Sequence, residues 1–191
     1  MMQQHIDISS VLRQTLACDL YSNLVTRKTG AAVRGQIEQL LSDSPAHGRA
    51  LTVIDFSQVS MIDFSCADEV VAKLLLRYAD DEQQASEVYF LFRGVTDDHW
   101  DAIEAVLERH GLALALESGN DVRIVGALSD GERRAWDATY RLGDADADDV
   151  AAETGTDRAD AGDLLETLWR RRLVMRVNGR YVAVGGTREN G

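Results

Sequence analysis

The sequence predicts an α/β protein in two parts, a sheet-and-helix domain over residues 1–126 and a small domain of three helices and a β-hairpin over residues 127–185. Short apolar runs that alternate with helix-length amphipathic segments predict the first part. An Asn-Gly pair between two apolar strands, preceded by three short helical segments, predicts the second part. Residues 186–191 are expected to form a tail.

The first half of the amino-terminal domain is predicted to begin with a strand, or the start of a hairpin, over residues 5–16. A helix is expected over residues 27–42, because its apolar residues fall on one stripe. The run Leu51–Phe56 is nearly all apolar, which is typical of a strand buried on both faces of a sheet. Met61–Phe64 is a second short apolar segment, and a helix is expected to begin near Ser65.

The second half of this domain repeats the alternation. Val88–Phe92 predicts another strand buried on both faces. Thr96 is placed to cap the following helix, and Gly111 is placed to end it. Two further short strands are expected over residues 112–116 and 122–125. The alternation stops after the last of these strands, which places the domain boundary there.

The carboxyl-terminal part has its own start and turn signals. Ser129 and Glu132 have the spacing of a capping box, which predicts the start of a helix. The acidic segment 144–149 leads to a second short helix, and Thr156 is placed to cap a third. The Asn178-Gly179 pair favours a type I′ hairpin turn. Three short helices and a hairpin follow the order of a winged-helix domain, with helix-turn-helix spacing between the second and third helices.

Composition limits the classes of function. The formal net charge of -12 repels phosphate backbones, although the same acidity also serves solubility, and both interpretations stay open. Neither the two cysteines nor the four histidines have metal-ligand spacing, and no nucleophile motif is present. We therefore expect no metal, no cofactor and no enzymatic activity. With no signal peptide and no apolar stretch of membrane-spanning length, we expect a cytoplasmic protein without membrane contact.

The segment Val53–Val70 resembles the STAS domain of anti-sigma-factor antagonists. It has a strand ending in Asp55, a turn, an apolar pair, and an Asp-Phe-Ser-Cys sequence that leads into a helix. The residues Thr26-Arg27-Lys28-Thr29-Gly30 and Phe64–Glu69, each at a helix start, are similar to a less-studied STAS-like family of unknown function. The resemblance covers residues 5–126. The chain departs from the antagonist motif at Cys66, where the motif has glycine.

The resemblance implies a partner-switching regulator that binds a kinase-like ATPase or an anti-sigma protein. It also implies that Ser65 is the serine that a partner kinase phosphorylates. From the residues alone we expect Ser65 to be a plain helix N-cap with Asp68 three positions later. A place in a partner surface without phosphorylation is a further alternative. The helix dipole favours a phosphate there, whereas Asp68 and Glu69 oppose it. The predicted partner-binding residues are Asp63, Phe64, Ser65, Cys66, Asp68 and Arg27.

Arg27 has a second interpretation, because basic residues near a helix start more often pair with nearby carboxylates. The same question of pairing applies to the basic end of the chain, where Arg170, Arg172, Arg176 and Arg180 are predicted as contacts to a nucleic-acid backbone. The third helix of this part presents mainly acids outward, which opposes entry into a groove. We therefore expect the carboxyl-terminal domain to pack on a protein partner or to form a homodimer. The alternative is that the protein is a DNA-binding transcription regulator.

Overall fold

A computed structural model describes residues 2–8, 10–11, 23–43, 49–79 and 87–186. A five-stranded mixed sheet organises them, in the spatial order β1-β3-β5-β6-β7. Neighbouring strands run parallel except β7, which is antiparallel to β6. A separate parallel pair, β2 with β4, lies beside it. The strands are β1 (Met2–Asp7), β2 (Asn23–Leu24), β3 (Ala50–Asp55), β4 (Met61–Ile62), β5 (Val88–Arg93), β6 (Ala113–Ser118) and β7 (Asp121–Gly126).

One face of the sheet is covered by helices from the amino-terminal half. They share one hydrophobic cluster with the side chains of this face, including Ile54 and Phe92. The second helix begins as an α-helical turn, continues as a π-helical segment and returns to α-helix. These elements are α1 (Arg27–Asp43), α2 (Phe64–Ala67), the π-helical segment Asp68–Lys73, α3 (Leu74–Ala79) and α4 (Asp97–His110).

The carboxyl-terminal elements cover the opposite face. A second hydrophobic cluster joins Val53 and Leu91 of the sheet to Trp136 and Leu165 of these helices. The indole of Trp136 donates a hydrogen bond of 3.0 Å to the carbonyl of Leu173, which leads into the hairpin. The elements are α5 (Asp130–Leu142), α6 (Ala147–Thr154), α7 (Arg158–Arg170), β8 (Val174–Val177) and β9 (Arg180–Ala183).

Burial on both faces explains the continuous apolar runs. Each residue of β3 is buried, because alternate side chains enter the two different clusters. The two apolar runs, each predicted to be a strand buried on both faces, lie side by side in one sheet, since β3 and β5 pair in parallel. The α/β class is confirmed as well. The division into two domains at residue 126 stays a prediction, and the carboxyl-terminal elements share a core with the sheet.

Most start and stop signals lie where the sequence places them. Thr96 occupies the N-cap of α4, and Gly111 ends that helix in the left-handed conformation at φ 62°. Ser129 and Glu132 form the predicted capping box of α5. Asn178 and Gly179 both have positive φ, as a type I′ turn requires.

Other predictions of local structure need correction. Thr156 does not cap α7; the carboxylate of Asp157 does, by accepting a hydrogen bond of 2.9 Å from the amide of Asp160. The first strand is Met2–Asp7 rather than a segment that begins at residue 5. The later part of the predicted 5–16 segment, from residue 12 on, lies outside the described residues, as do residues 187–191 of the predicted tail.

Candidate functional site

Asp63 organises the start of α2. Its backbone is extended, at φ -87° and ψ 165°, which is the geometry of an N-cap residue. One carboxylate oxygen accepts hydrogen bonds from the amide of Cys66 at 2.8 Å and from the hydroxyl of Ser65 at 2.9 Å. The other accepts one from the amide of Thr26 at 3.0 Å. Partial burial opposes ionisation of Asp63, but the hydrogen bonds from these amides outweigh it and lower the pKa.

The expectation that Ser65 caps this helix is therefore wrong. Both Asp63 and Ser65 are good capping residues, but only Asp63 has the extended backbone that a cap requires. Ser65 lies inside the first turn, and its hydroxyl donates to the Asp63 carboxylate. A phosphate on that oxygen would lose this hydrogen bond and would stand beside a negative charge.

The connection before α1 is fixed against the same turn. Thr26 has φ 79°, which is unusual for a residue with a side chain, and the thiol of Cys66 donates a hydrogen bond of 2.9 Å to its carbonyl. Gly30 lies so close that an added Cβ would stand 2.9 Å from the Cα of Cys66. Burial, with the nearby charge of Asp63, raises the pKa of the Cys66 thiol to about 12. Cys66 is therefore a packing residue, and its burial and raised pKa predict a thiol of low reactivity.

Two buried carboxylates follow in the π-helical segment. Asp68 and Glu69 are 5% and 3% exposed, yet each is surrounded by positive groups. Arg27 donates from one nitrogen to both carboxylates, at 2.8 Å and 2.9 Å. His110 lies 2.8 Å from Asp68, and Lys73 pairs with Glu69. With Arg34, which donates to Glu69 at 3.3 Å, these residues form the charge cluster: Arg27, Arg34, Asp68, Glu69, Lys73 and His110.

The charge cluster keeps its carboxylates ionised. Burial opposes the charge on Asp68, but hydrogen bonds from Arg27 and His110 outweigh it and lower the pKa. The same holds for Glu69, whose pKa is lowered by Lys73 and Arg27 against burial. Because these acids are matched by cations, they do not act as the free repulsive charges that the sequence suggested beside Ser65. The simpler interpretation of Arg27, that it pairs with neighbouring carboxylates, is confirmed.

The six predicted partner-binding residues therefore separate into two sets. Cys66 and Asp68 are buried, so a partner cannot touch either side chain while the helix keeps its place. Asp63 and Ser65 are partly exposed, and Arg27 is exposed but engaged in the charge cluster. Phe64 is the sixth residue and the apolar one that a partner can reach, with 37% of its surface exposed.

Phe64 has an apolar neighbour that the sequence did not single out. Met61 lies in β4, just before the same helix start, and is 46% exposed. Both elements pack against α4, and the guanidinium of Arg109 lies 5.6 Å from the centre of the Phe64 ring. We call Met61, Phe64 and Ser65 the helix-start surface. In the sequence, Met61 and Phe64 are apolar residues on either side of the cap residue Asp63. The segment is too short for periodicity to predict that both side chains are exposed.

A second polar group lies where β1, β3 and β5 end. Asp55 accepts hydrogen bonds from the Ser57 amide at 2.9 Å and from Arg93 at 2.8 Å, and His5 lies 2.9 Å away. Burial opposes ionisation of Asp55, but the Ser57, Arg93 and His5 contacts hold its pKa well below the usual range. The sequence placed Asp55 at the end of its strand but did not indicate its contacts with His5 and Arg93. The Ser57 hydroxyl donates to Asp55 and not to His5, so the group lacks a serine–histidine pair.

The carboxyl-terminal arginines are engaged within the chain. Arg180 pairs with Asp144, Asp146 and Asp149, and Arg170 pairs with Glu166 at 3.4 Å.

The remaining two predicted backbone contacts are held by aromatic rings as well as by polar groups. Arg176 pairs with Glu166 and lies 4.4 Å from the centre of the Trp169 ring. Arg172 donates to the Tyr78 carbonyl at 3.1 Å. All four arginines that were predicted to contact a nucleic-acid backbone thus already have partners.

Comparison with known proteins adds no relative: no family model, no curated protein and no solved structure matches the chain. Among the described residues, no three His, Cys, Asp or Glu side chains converge in a way that could hold a metal ion. No helix in the described part of the chain is both long enough and apolar enough to cross a membrane.

Proposed function

We propose that the protein is a regulatory protein-interaction module that binds a protein partner through the helix-start surface. The observation that carries the proposal is the exposure of Phe64 and Met61 on a turn that is otherwise immobilised. Asp63 fixes the backbone of that turn, and the charge cluster fixes the helix below it. Exposed aromatic and methionine side chains on rigid backbone are the kind of anchor that dominates binding energy at protein interfaces.

The proposal agrees with the resemblance to STAS domains of anti-sigma-factor antagonists. It retains a kinase-like ATPase or an anti-sigma protein as the kind of partner, and it retains a winged-helix identity for the carboxyl-terminal elements. Ser65 belongs to the helix-start surface, and a phosphate on its hydroxyl would disturb the cap that Asp63 provides. Phosphorylation would therefore weaken partner binding by disrupting the helix start that forms the interface, and not strengthen it by adding a favourable charge.

A site-specific crosslinker tests this proposal. A photoreactive phenylalanine analogue replaces Phe64 in one version of the chain and Leu142, which is similarly exposed on α5, in the control version. Both are expressed in the native host and irradiated, and the crosslinked proteins are identified by mass spectrometry. One partner crosslinked from position 64 and absent from position 142 supports the proposal. The same set of proteins from both positions would refute it.

The alternative is a DNA-binding transcription regulator that uses the carboxyl-terminal elements. The exposed side of α7 carries Asp160 and Asp163, and the arginines of the hairpin region are already paired with acids. Binding to duplex DNA should therefore be weak, without sequence preference, and lost at modest salt. Nanomolar binding to one specific duplex at physiological salt, measured by fluorescence anisotropy, would favour the regulator over the interaction module.

A further inference from the structure

His99 joins two segments of the chain at the start of α4. Its side chain is buried, with 0% of its surface exposed. The Nε2 atom lies 2.9 Å from the carbonyl oxygen of Val59, and the Nδ1 atom lies 3.1 Å from the backbone nitrogen of Thr96, the N-cap residue of α4. We call these two contacts the His99 bridge. Because Val59 comes two residues before Met61 and β4, the bridge ties the segment that leads into the helix-start surface to the first turn of α4.

The two hydrogen bonds of the His99 bridge fix the protonation state of the ring. A carbonyl oxygen only accepts, so Nε2 carries the proton that it donates to Val59. A backbone amide only donates, so Nδ1 keeps its lone pair for the amide of Thr96. Both bonds exist together in the neutral ring with its proton on Nε2. A second proton, which would bind to Nδ1, breaks the bond to Thr96.

The surroundings of His99 offer no counter-ion to a protonated ring. His5 and His110 lie 2.9 Å and 2.8 Å from an aspartate oxygen. In the described part of the chain, by contrast, no carboxylate oxygen lies within 4.0 Å of a His99 ring nitrogen, and no Lys or Arg is hydrogen-bonded to it. Besides the two backbone groups, the ring packs against Phe56, whose ring centre lies 6.0 Å away. A proton on this histidine would therefore be a buried and uncompensated charge.

The position of His99 in its helix adds to this effect. His99 is the third residue of α4, where the helix dipole opposes a cation. The charged neighbour that favours protonation is Asp98 on the same helix, but burial outweighs it and lowers the pKa of His99. The fold at this junction therefore depends on the neutral form of the ring.

From this geometry we propose that the His99 bridge is an acid-sensitive contact that controls the helix-start surface. Protonation of Nδ1 breaks the bond to Thr96 and leaves a buried cation, so the ring leaves its site and releases Val59. The strand that follows, with Met61, then separates from α4. This inference rests on the proposed function for its consequence, because it names how binding at that surface is regulated. A partner is bound near neutral pH and released in mild acid.

The pH range of this response differs from that of the buried carboxylates. Because the pKa of His99 is lowered in the folded state, its contribution to stability is fully present above its unfolded pKa of about 6.5 and is lost as the pH falls below that value. The contributions of Asp63, Asp68 and Glu69 are lost only below an unfolded pKa of about 4. An acid response between pH 6.5 and pH 5 therefore reports on histidine and not on these carboxylates.

Hydrogen exchange of the full chain, measured by mass spectrometry from pH 7.5 to pH 5, tests the proposal. After correction for the intrinsic pH dependence of exchange, segments 56–62 and 94–100 should lose protection by up to about tenfold per pH unit below pH 6.5, as expected for one proton. Strands β3 and β5 should keep theirs over this range. A uniform loss over the whole sheet, or no loss in the two segments above pH 5, would overturn the proposal.

Two variants assign the response to one histidine. In His99→Gln, the glutamine stands at the third helical position of a capping box, where its carbonyl oxygen accepts from Thr96 and its amide has a proton to donate to Val59. This variant should keep both segments protected down to pH 5. The control His110→Gln removes a histidine that has an aspartate partner, and it should retain the acid response of the wild type. The same response in His99→Gln as in the wild type would refute the assignment.

Nuclear magnetic resonance of the wild type gives a test that does not depend on the folding of a variant. The ring signals of His99 should titrate together with the loss of protection of the Thr96 amide. A His99 ring that becomes protonated while that amide stays protected would overturn the proposal, since the bridge would then tolerate the charge.

The photoreactive analogue at position 64 separates this inference from the proposed function. Crosslinking in lysate at pH 7.5 and pH 5.5 should give one partner that is captured several-fold less at the lower pH, and His99→Gln should restore its capture. A partner captured equally at both pH values would refute the acid-sensitive bridge and leave the proposed function in place. Absence of a position-specific partner at pH 7.5 would remove the proposed function, and the regulatory role of the bridge with it.

Discussion

Replacing Asp63 should destabilise the protein more than any change at Ser65, because Asp63 is the N-cap and Ser65 only donates to it. Loss of the cap to the Cys66 amide should contribute about 1 kcal/mol. Loss of the charged acceptor for the Thr26 amide should contribute about 1 kcal/mol more, a low value for a charged hydrogen bond because that bond is exposed. Asp63→Ala should therefore lower the free energy of unfolding by about 2 kcal/mol.

Three further variants separate the contributions. Asp63→Asn keeps a capping oxygen but points an amide nitrogen at one of the two donor groups, so we expect about half the loss. Ser65→Ala removes one partly exposed hydrogen bond and should lower the free energy of unfolding by about 0.5 kcal/mol. Ser65→Asp places a second carboxylate beside Asp63 and should be less stable than Ser65→Asn, most clearly at low salt. An aspartate at position 65 cannot act as the helix cap, because Asp63 already occupies the N-cap position.

Urea unfolding followed by tryptophan fluorescence, repeated over a range of pH, measures these differences. Because the pKa of Asp63 is lowered in the folded state, its contribution is fully present above its unfolded pKa of about 4 and is lost as the pH falls through the folded pKa. The gap between wild type and Asp63→Asn should therefore be largest near neutral pH and shrink in acid. A Ser65→Ala loss equal to that of Asp63→Ala, or a gap that grows in acid, would refute the cap assignment.

Three shorter predictions follow from packing, burial and charge. Gly30→Ala should lower the free energy of unfolding by about 2 kcal/mol through overlap with Cys66, whereas Gly35→Ala on the same helix should raise it by up to about 1 kcal/mol, both measured by urea unfolding. The Cys66 thiol should not react with a disulfide reagent at pH 8 in a variant lacking the other cysteine, and a reaction rate like that of the unfolded chain would contradict its burial. Glu69→Gln should lower the free energy of unfolding by about 3 kcal/mol at neutral pH, and this difference should shrink in acid because the pKa of Glu69 is lowered in the folded state. The control Glu104→Gln, at an exposed position, should change the free energy of unfolding by less than about 0.5 kcal/mol. Equal losses from the two variants would refute the buried ion pairs.

The elements that the sequence predicts well are those whose signal is local. The run Leu51–Phe56 indicates burial on both faces because no charged residue interrupts it until Asp55, and β3 is buried throughout. Ser129 with Glu132, and Asn178 with Gly179, specify their geometry through neighbouring residues alone.

The start of α2 was assigned to the wrong residue because the deciding contact is not local. Asp63 and Ser65 are both suitable caps, and their spacing from the helix does not distinguish them. The amide of Thr26, brought alongside by the pairing of β2 with β4, donates to Asp63 and stabilises its extended backbone. Periodicity carries no information about a donor 37 residues away.

The charge cluster escaped prediction for a related reason. Arg27 reaches Asp68 and Glu69 across about forty residues, and His110 reaches Asp68 from a third helix. Read along the chain, two acids in a first helical turn look like exposed charges that complement the dipole. Only the packing of α1 and α4 on the π-helical segment shows that they are buried and neutralised.

The distribution of paired and unpaired acids bears on the meaning of the net charge. A plain solubility device would spread unpaired acids over the surface, since any exposed position serves that purpose. Asp148, Glu166 and Asp149 pair with arginines, whereas exposed acids on three different helices, among them Asp101, Asp137 and Asp160, have no cation within 4.0 Å in the described part of the chain. The unpaired negative charge is therefore spread over several helices, as a role in solubility predicts.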